Sequence, residues 1–166
     1  MPIQRLNHAV LYVRNLQASI DFYCGVLGFR VVHQIDTRAA FLQAQGSSND
    51  HDLGLFAVGE SAVGSGAGHG SVGMYHLAWE VDTLDELRRM RGALEEFGSL
   101  IGASDHGATK ALYAKDPDGL EFELSWLVPR DQLDKEPGGM KTQPLNIDAE
   151  VAKYGAQTLG GVGVSH

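Results

Sequence analysis

The sequence has little cysteine, little basic charge and no long apolar run, and each shortage excludes a class of protein. One cysteine, Cys24, is too few for an internal disulfide or for a cysteine-rich zinc site. Lysine and arginine number 13 against 21 aspartates and glutamates, a net charge of −8, which argues against binding the phosphates of a nucleic acid. No apolar run approaches the roughly 20 residues of a membrane helix. Residues 1–5 contain no apolar signal core, so we expect a cytoplasmic protein without a membrane partner.

The chain contains an internal repeat, visible in two histidines, His8 and His76, that lie 68 positions apart. Each histidine lies in a strand-like run rich in β-branched and aromatic residues, and a helix-capping residue, Asn15 or Thr83, follows seven positions later. Apolar residues then recur every three or four positions, as they do on one face of a helix. Three more strand-like runs complete each half. Both halves are therefore predicted as β-α-β-β-β, and the period suits a duplicated module.

These elements predict an α+β fold of 166 residues. The predicted strands are 6–13, 29–34, 39–43 and 53–58 in the first half, and 74–81, 99–104, 111–115 and 121–127 in the second. A domain 1–128 would contain modules at about 5–60 and 74–128, joined by the glycine-rich linker 61–73.

The segment 129–166 is broken by proline and glycine, and we expect an arm that packs on the domain or on a partner subunit. Its apolar residues would be poorly buried on one small domain, which favours a homodimer. These residues are Leu133, Leu145, Ile147 and Val151.

Alternation along the strands places several metal-binding residue types away from the helices. His8 and His76 fall on the faces opposite their apolar neighbours, as do Glu121 and Glu123 in the last strand. A single histidine in a strand is more often an ordinary hydrogen-bonded residue, and a glutamate there is more often simply solvated. The matching positions of the two histidines in the repeat favour a metal site. Two histidines and one carboxylate leave open positions on a divalent metal, as in non-haem Fe(II) proteins.

Four segments together resemble the vicinal oxygen chelate superfamily, over about residues 5–128. They are Leu6-Asn7-His8-Ala9-Val10, Phe22-Tyr23-x-x-Val26-Leu27-Gly28-Phe29, Tyr75-His76-Leu77-Ala78-Trp79-Glu80-Val81 and Asp116-Pro117-Asp118-Gly119-Leu120-Glu121-Phe122-Glu123. The family includes glyoxalase I, extradiol dioxygenases, fosfomycin-resistance transferases, methylmalonyl-CoA epimerases and bleomycin-binding proteins. The resemblance implies paired modules that form a cupped mixed sheet around a divalent metal.

The resemblance also implies the metal ligands His8, His76 and Glu123, because members usually place the ligand fourth after the Asp-Pro-x-Gly turn. Fe(II) is the expected metal, with Mn(II), Ni(II) and Zn(II) as alternatives. Glyoxalase I and the epimerases take a fourth ligand from the fourth strand. Here that strand, 53–58, has no ligand side chain in its middle, and His51, Asp52 and Glu60 at its ends look badly placed. A set of three ligands resembles the extradiol branch instead.

Three further segments, 104–107, 112–119 and 144–148, resemble single-subunit members similar to catechol 2,3-dioxygenase. In that group a histidine and a tyrosine contact the bound diol, and the matching positions are His106 and Tyr113. The resemblance therefore implies aromatic catabolism, with a catechol-type diol and O2 as substrates. The ordinary alternatives are a turn residue for His106 and a cavity-wall aromatic for Tyr113. Two-domain members carry one more acid–base histidine before the second ligand histidine. The one candidate for it in this sequence is His69, in the glycine-rich linker.

Two other functions remain open at this point. A thiol-dependent lyase or transferase of the glyoxalase or fosfomycin type can share the three ligands and the tyrosine. Binding a phosphonate dianion requires a basic cavity, and the local cations are only Lys110 and Lys115. A non-catalytic drug-binding protein similar to bleomycin-resistance proteins would suit the acidic composition, but such proteins lack the metal residues found here.

Overall fold

The computed structural model describes residues 2–3, 5–136, 138 and 141–161. The chain forms two units, Met1–Ser65 with Asp116–Gly119, and Gly66–Lys115 with Leu120–His166. The boundary between Ser65 and Gly66 lies inside the glycine-rich segment predicted as a linker.

The first unit has the predicted order of one strand, one helix and three strands. Its elements are β1 (Ala9–Val13), α1 (Leu16–Gly25), β2 (Arg30–Ile35), β3 (Ala39–Gln43) and β4 (Leu53–Ala57). The sheet order is β1-β4-β3-β2, with β1 and β4 parallel and the other pairs antiparallel. Along β1, Leu11 and Val13 are buried while Val10 and Tyr12 are exposed, which confirms the predicted alternation.

Side-chain hydrogen bonds fix the start of α1 and a turn in the first unit. The side chain of Asn15 accepts a hydrogen bond from the Ala18 N–H at 3.0 Å, as an N-cap residue does. The turn Asp116–Gly119 also belongs to this unit. Its Asp116 accepts a hydrogen bond from the Tyr23 hydroxyl at 3.1 Å, and its Asp118 pairs with Arg14 at 3.0 Å.

The second unit repeats the same order and adds the arm. Its elements are β5 (His76–Glu80), α2 (Leu84–Phe97), β6 (Leu100–Asp105), β7 (Thr109–Lys115), β8 (Glu121–Leu127), a 3-10 helix (Arg130–Lys135), β9 (Gln143–Pro144) and α3 (Ile147–Tyr154). The sheet order is β5-β8-β7-β6-β9, and β5 and β8 are parallel. Thr83 caps the start of α2, as predicted, and Gly98, with φ of 78°, caps its end in the left-handed conformation.

The α+β fold and the duplicated β-α-β-β-β order are therefore confirmed, as two mixed sheets of four and five strands. The joining of the two modules around one metal stays a prediction. No helix among the described residues is long and apolar enough to cross a bilayer.

The arm packs on the second unit, which corrects one argument for a homodimer. Leu145 and Ile147, expected to be poorly buried, are both buried within their own chain. β9 extends the sheet by pairing with β6, and α3 packs on α2. Of the four apolar positions, Leu133 is exposed and Val151 is half-buried. The homodimer remains a prediction of the family resemblance alone, to be checked by light scattering.

A buried group of charges joins the arm to β6 and β7. We name it the arm cluster, and it consists of Lys110, Lys141 and Lys153 with Asp105, Glu136 and Glu150. The Lys110 ammonium lies 2.7 Å from Asp105, 2.8 Å from Glu136 and 3.1 Å from Glu150. Lys110 was considered above as a cavity cation, and the structure corrects this, because its side chain is 0% exposed and surrounded by carboxylates.

The arm cluster lowers the pKa of Glu136 and so favours its charged form. Burial alone would raise the pKa of Glu136, but hydrogen bonds from Lys110, Lys153, Tyr154 and Lys141 outweigh it and hold that pKa well below its ordinary value. Because the pKa is lower in the folded state than in the unfolded state, the resulting stability is present at neutral pH. It is lost as the pH falls below the ordinary carboxyl range towards the folded-state pKa.

We predict that Lys110→Met lowers the free energy of unfolding by about 3–5 kcal/mol, since it leaves buried carboxylates without their cation. The control is Lys115→Met, because Lys115 is 47% exposed and pairs with Glu121 at 3.7 Å. That change should cost less than about 1 kcal/mol. Urea unfolding at neutral pH measures both, and equal losses would contradict a stabilising role for the arm cluster.

Candidate metal and substrate site

Two of the three predicted metal ligands lie side by side in the second unit. The Nε2 atom of His76 on β5 is 3.3 Å from a carboxylate oxygen of Glu123 on β8. The two strands are parallel neighbours, and both side chains are mostly buried. Glu121, the other glutamate of β8, pairs instead with Lys115. The donor atoms that converge here are therefore an imidazole nitrogen and the Glu123 carboxylate.

A neighbouring hydroxyl group orients Glu123 beside His76. The Ser125 hydroxyl donates a hydrogen bond to Oε1 of Glu123 at 2.8 Å, and this leaves Oε2 facing His76. The Nδ1 atom of His76 is buried and has no hydrogen-bond partner among the described residues. The Nε2 atom is thus the one that His76 presents to Glu123. A carboxylate held by a hydrogen bond beside an imidazole nitrogen offers two of the donor types that divalent metals bind.

Tyr113 and His106 extend this group along the sheet. Tyr113 on β7 is the cross-strand partner of Glu123, and its ring lies 5.9 Å from the His76 ring. The Tyr113 hydroxyl is 2.9 Å from Nε2 of His106, which follows the end of β6. The structure therefore brings four predicted residues together in one unit: His76, Glu123, Tyr113 and His106.

The surroundings of Tyr113 keep its hydroxyl protonated. Burial is the largest cause, and the negative charge of Glu123 adds to it, so that the pKa of Tyr113 rises to about 12. At neutral pH the phenol has one proton to donate and can accept another. Tyr113 can therefore pass a proton between a bound molecule and His106.

His8, the third predicted ligand, belongs to the first unit. Its Nδ1 atom is 2.7 Å from the side-chain oxygen of Asn7, which can only accept, so the neutral ring carries its proton on Nδ1. Nε2 then keeps a lone pair that a metal can take. The described residues contain no single group of three metal-ligating side chains, so the predicted set occurs as a pair in one unit and a single histidine in the other.

Sequence reasoning missed a neighbour of His8. The ring of His51 lies 4.5 Å from the His8 ring, although His51 was expected to be badly placed at the end of the fourth strand. The parallel pairing of Ala9 with Leu53 explains this, because it places the residues before β1 beside those before β4. Because this pairing joins strands that are distant in the sequence, no local periodicity indicates it.

The other two acidic candidates near β4 have structural roles. Asp52 is buried, and its carboxylate accepts hydrogen bonds from the Ala44 N–H at 2.9 Å and from the Ser47 hydroxyl at 2.7 Å. Glu60 accepts a hydrogen bond from the side chain of Asn15 at 2.7 Å. Neither carboxylate is directed to His8, and β4 itself carries no ligand side chain.

Comparisons with known proteins agree with this fold. Residues 5–124 match the Glyoxalase/Bleomycin resistance protein/Dioxygenase superfamily. Catechol-2,3-dioxygenase of Bacillus subtilis is 32% identical over 157 residues, 90% of this chain and 52% of that protein. A probable lactoylglutathione lyase of Synechocystis sp. is 27% identical over 127 residues, 72% of this chain and 92% of that protein. This chain thus spans about half the length of the dioxygenase.

A solved structure shows the same fold. The glyoxylase/bleomycin resistance protein/dioxygenase domain from Frankia sp. EAN1pec matches with a TM-score of 0.64 at 18% identity, covering 81% of this chain and 99% of that chain.

We predict that Tyr113→Phe leaves the phenolate absorbance at pH 11 almost unchanged. With a pKa of about 12, roughly one tenth of Tyr113 is ionised at that pH. The measurement is the ultraviolet absorbance of phenolate in folded wild-type and variant protein, with circular dichroism as the control for folding. If Tyr113→Phe removed the absorbance of nearly one full phenolate, Tyr113 would ionise in the ordinary range. That result would contradict the raised pKa of Tyr113.

Proposed function

Because this chain belongs to the Glyoxalase/Bleomycin resistance protein/Dioxygenase superfamily, we propose that it is an Fe(II)-dependent extradiol dioxygenase that opens the ring of a catechol-type substrate. The observation that carries the proposal is the hydrogen bond of 2.9 Å between His106 and Tyr113, beside the His76–Glu123 pair. It combines a proton-transfer pair with metal ligands, and extradiol cleavage needs both.

The residues fit a divalent metal. His8, His76 and Glu123 would hold it through two imidazole nitrogens and one carboxylate, a donor set that suits Fe(II) and leaves positions open. Bound there, iron would act as a Lewis acid for the diol and pass electrons from it to O2. β4 offers no fourth ligand, and this favours a diol and O2 on the free positions over the four-ligand lyase arrangement.

The proton chemistry would fall to His106 and Tyr113. The catechol binds after losing a proton, which Nε2 of His106 accepts either directly or through the Tyr113 hydroxyl. The carbon–carbon bond beside the diol breaks, both atoms of O2 enter the product, and no external reductant is needed. The protonated His106 then returns its proton to the ring-opened semialdehyde.

A thiol-dependent lyase or transferase is the second candidate, because the Synechocystis relative is named as a probable lactoylglutathione lyase. The charges near the site do not favour an anionic substrate. Lys110 is enclosed by carboxylates in the arm cluster, and Lys115 pairs with Glu121. A drug-binding protein without metal would not need the ordered His76–Glu123 pair.

We predict one divalent metal per chain, lost when a ligand is removed. His8→Ala, His76→Ala and Glu123→Ala should each lower Fe(II) affinity sharply, because each removes one of three protein ligands. The control is His69→Ala, since His69 is an exposed histidine in the glycine-rich segment. Anaerobic titration calorimetry and metal analysis measure the effect. Full metal occupancy in the double variant His8→Ala, His76→Ala would contradict the ligand assignment.

We predict oxygen uptake and a yellow ring-fission product when the Fe(II)-loaded protein meets catechol, a methylcatechol or dihydroxybiphenyl. His106→Ala should lower turnover by roughly 10²–10⁴, the usual contribution of an acid–base group, while the metal stays bound. His33→Ala, an exposed histidine on β2, is the matched control. If the protein formed a thiol adduct and consumed no O2 with any of the diols, the transferase function would replace this proposal.

A further inference from the structure

The arm makes a direct contact with His106 in the second unit. The backbone carbonyl of Lys141 lies 3.0 Å from Nδ1 of His106, and the Thr142 hydroxyl is 3.4 Å from the same atom. His106 therefore lies between the arm on its Nδ1 side and Tyr113 on its Nε2 side.

The contact selects one tautomer of the neutral ring. A carbonyl oxygen can only accept a hydrogen bond, so Nδ1 of His106 must be the donor and carry the proton. Nε2 is then left with its lone pair facing the Tyr113 hydroxyl, 2.9 Å away. In the opposite tautomer Nε2 would carry a proton, and His106 could not accept one there.

Ion pairs and a strand pairing hold the Lys141 carbonyl in place. The Lys141 ammonium lies 2.8 Å from Asp105 and 3.2 Å from Glu136. Asp105 is the residue just before His106, and it also pairs in register with Gln143 of β9. Lys141, which carries the carbonyl, is thus joined by an ion pair to Asp105, which precedes His106. The pairing of Asp105 with Gln143 holds the same segment from the other side.

We propose that the arm is a working part of the site and that Lys141 is a positioning residue, which holds His106 with its proton on Nδ1 and its base at Nε2. This inference rests on the proposed function only for the role it gives His106 in turnover. The tautomer itself is a property of the folded chain and can be measured without metal or substrate.

Lys153 provides a matched comparison within the arm cluster. Its side chain is 32% exposed and that of Lys141 is 33% exposed, and both ammonium groups contact Glu136. Lys153 lies on α3, and no contact between it and His106 is present. A purely stabilising role of the cluster would make the two lysines equivalent, whereas positioning of His106 requires Lys141 alone.

The test is nitrogen NMR of the full chain with labelled histidine rings, at a pH where the rings are neutral, with His106→Gln to assign the signals. We expect the Nδ1–H tautomer of His106 in the wild type and in Lys153→Met. In Lys141→Met the population should move towards Nε2–H. A wild-type ring protonated on Nε2, an unchanged tautomer in Lys141→Met or an equal change in Lys153→Met would each overturn the proposal.

Kinetics separates this inference from the proposed function. In the Fe(II)-loaded protein, Lys141→Met should lower kcat for catechol by about tenfold or more, a part of what an acid–base group contributes, with little change in KM. Lys153→Met should keep the wild-type kcat. If the tautomers behave as expected but no variant consumes oxygen, the dioxygenase proposal fails and the positioning role stands. If turnover occurs and the tautomer is Nε2–H, the positioning role fails.

Discussion

The parallel pairing of the first and fourth strands within each unit is the constraint on which the candidate site depends. In the second unit it places His76 of β5 beside Glu123 of β8, with their reactive atoms 3.3 Å apart. The antiparallel pairing of β8 with β7 then sets Tyr113 opposite Glu123. In the first unit, the equivalent pairing of β1 with β4 brings His8 and His51 together. A shift of one residue in either sheet would turn these side chains towards the opposite face.

The candidate site also depends on the ion pairs of the arm cluster. Lys110 is enclosed by three carboxylates, a costly arrangement unless every charge is matched, and Lys141 and Lys153 complete the balance. Within this cluster, the ion pairs of Lys141 with Asp105 and Glu136 fix the segment that contacts His106. Stability of the arm and orientation of the proposed acid–base group therefore share the same ion pairs.

Local signals allowed most of the fold to be predicted. Asn15 and Thr83 cap their helices, β3 and β8 have the predicted bounds, and the faces of β1 alternate as expected. His51 was misjudged, since its position depends on pairing between distant strands. The role of Lys110 was misjudged too, because two of its three carboxylate partners, Glu136 and Glu150, lie 26 or more positions away, where no periodicity connects them.

The most direct test of the proposed chemistry follows the oxygen atoms themselves. The Fe(II)-loaded protein is incubated under isotopically heavy O2 with a diol that it converts, and the product is analysed by mass spectrometry. Extradiol cleavage predicts two heavy atoms in each molecule of ring-opened product, because both atoms of O2 enter it and no reductant is consumed. A product that contains no heavy atom would contradict the account, whereas a single heavy atom remains where the aldehyde oxygen has exchanged with water.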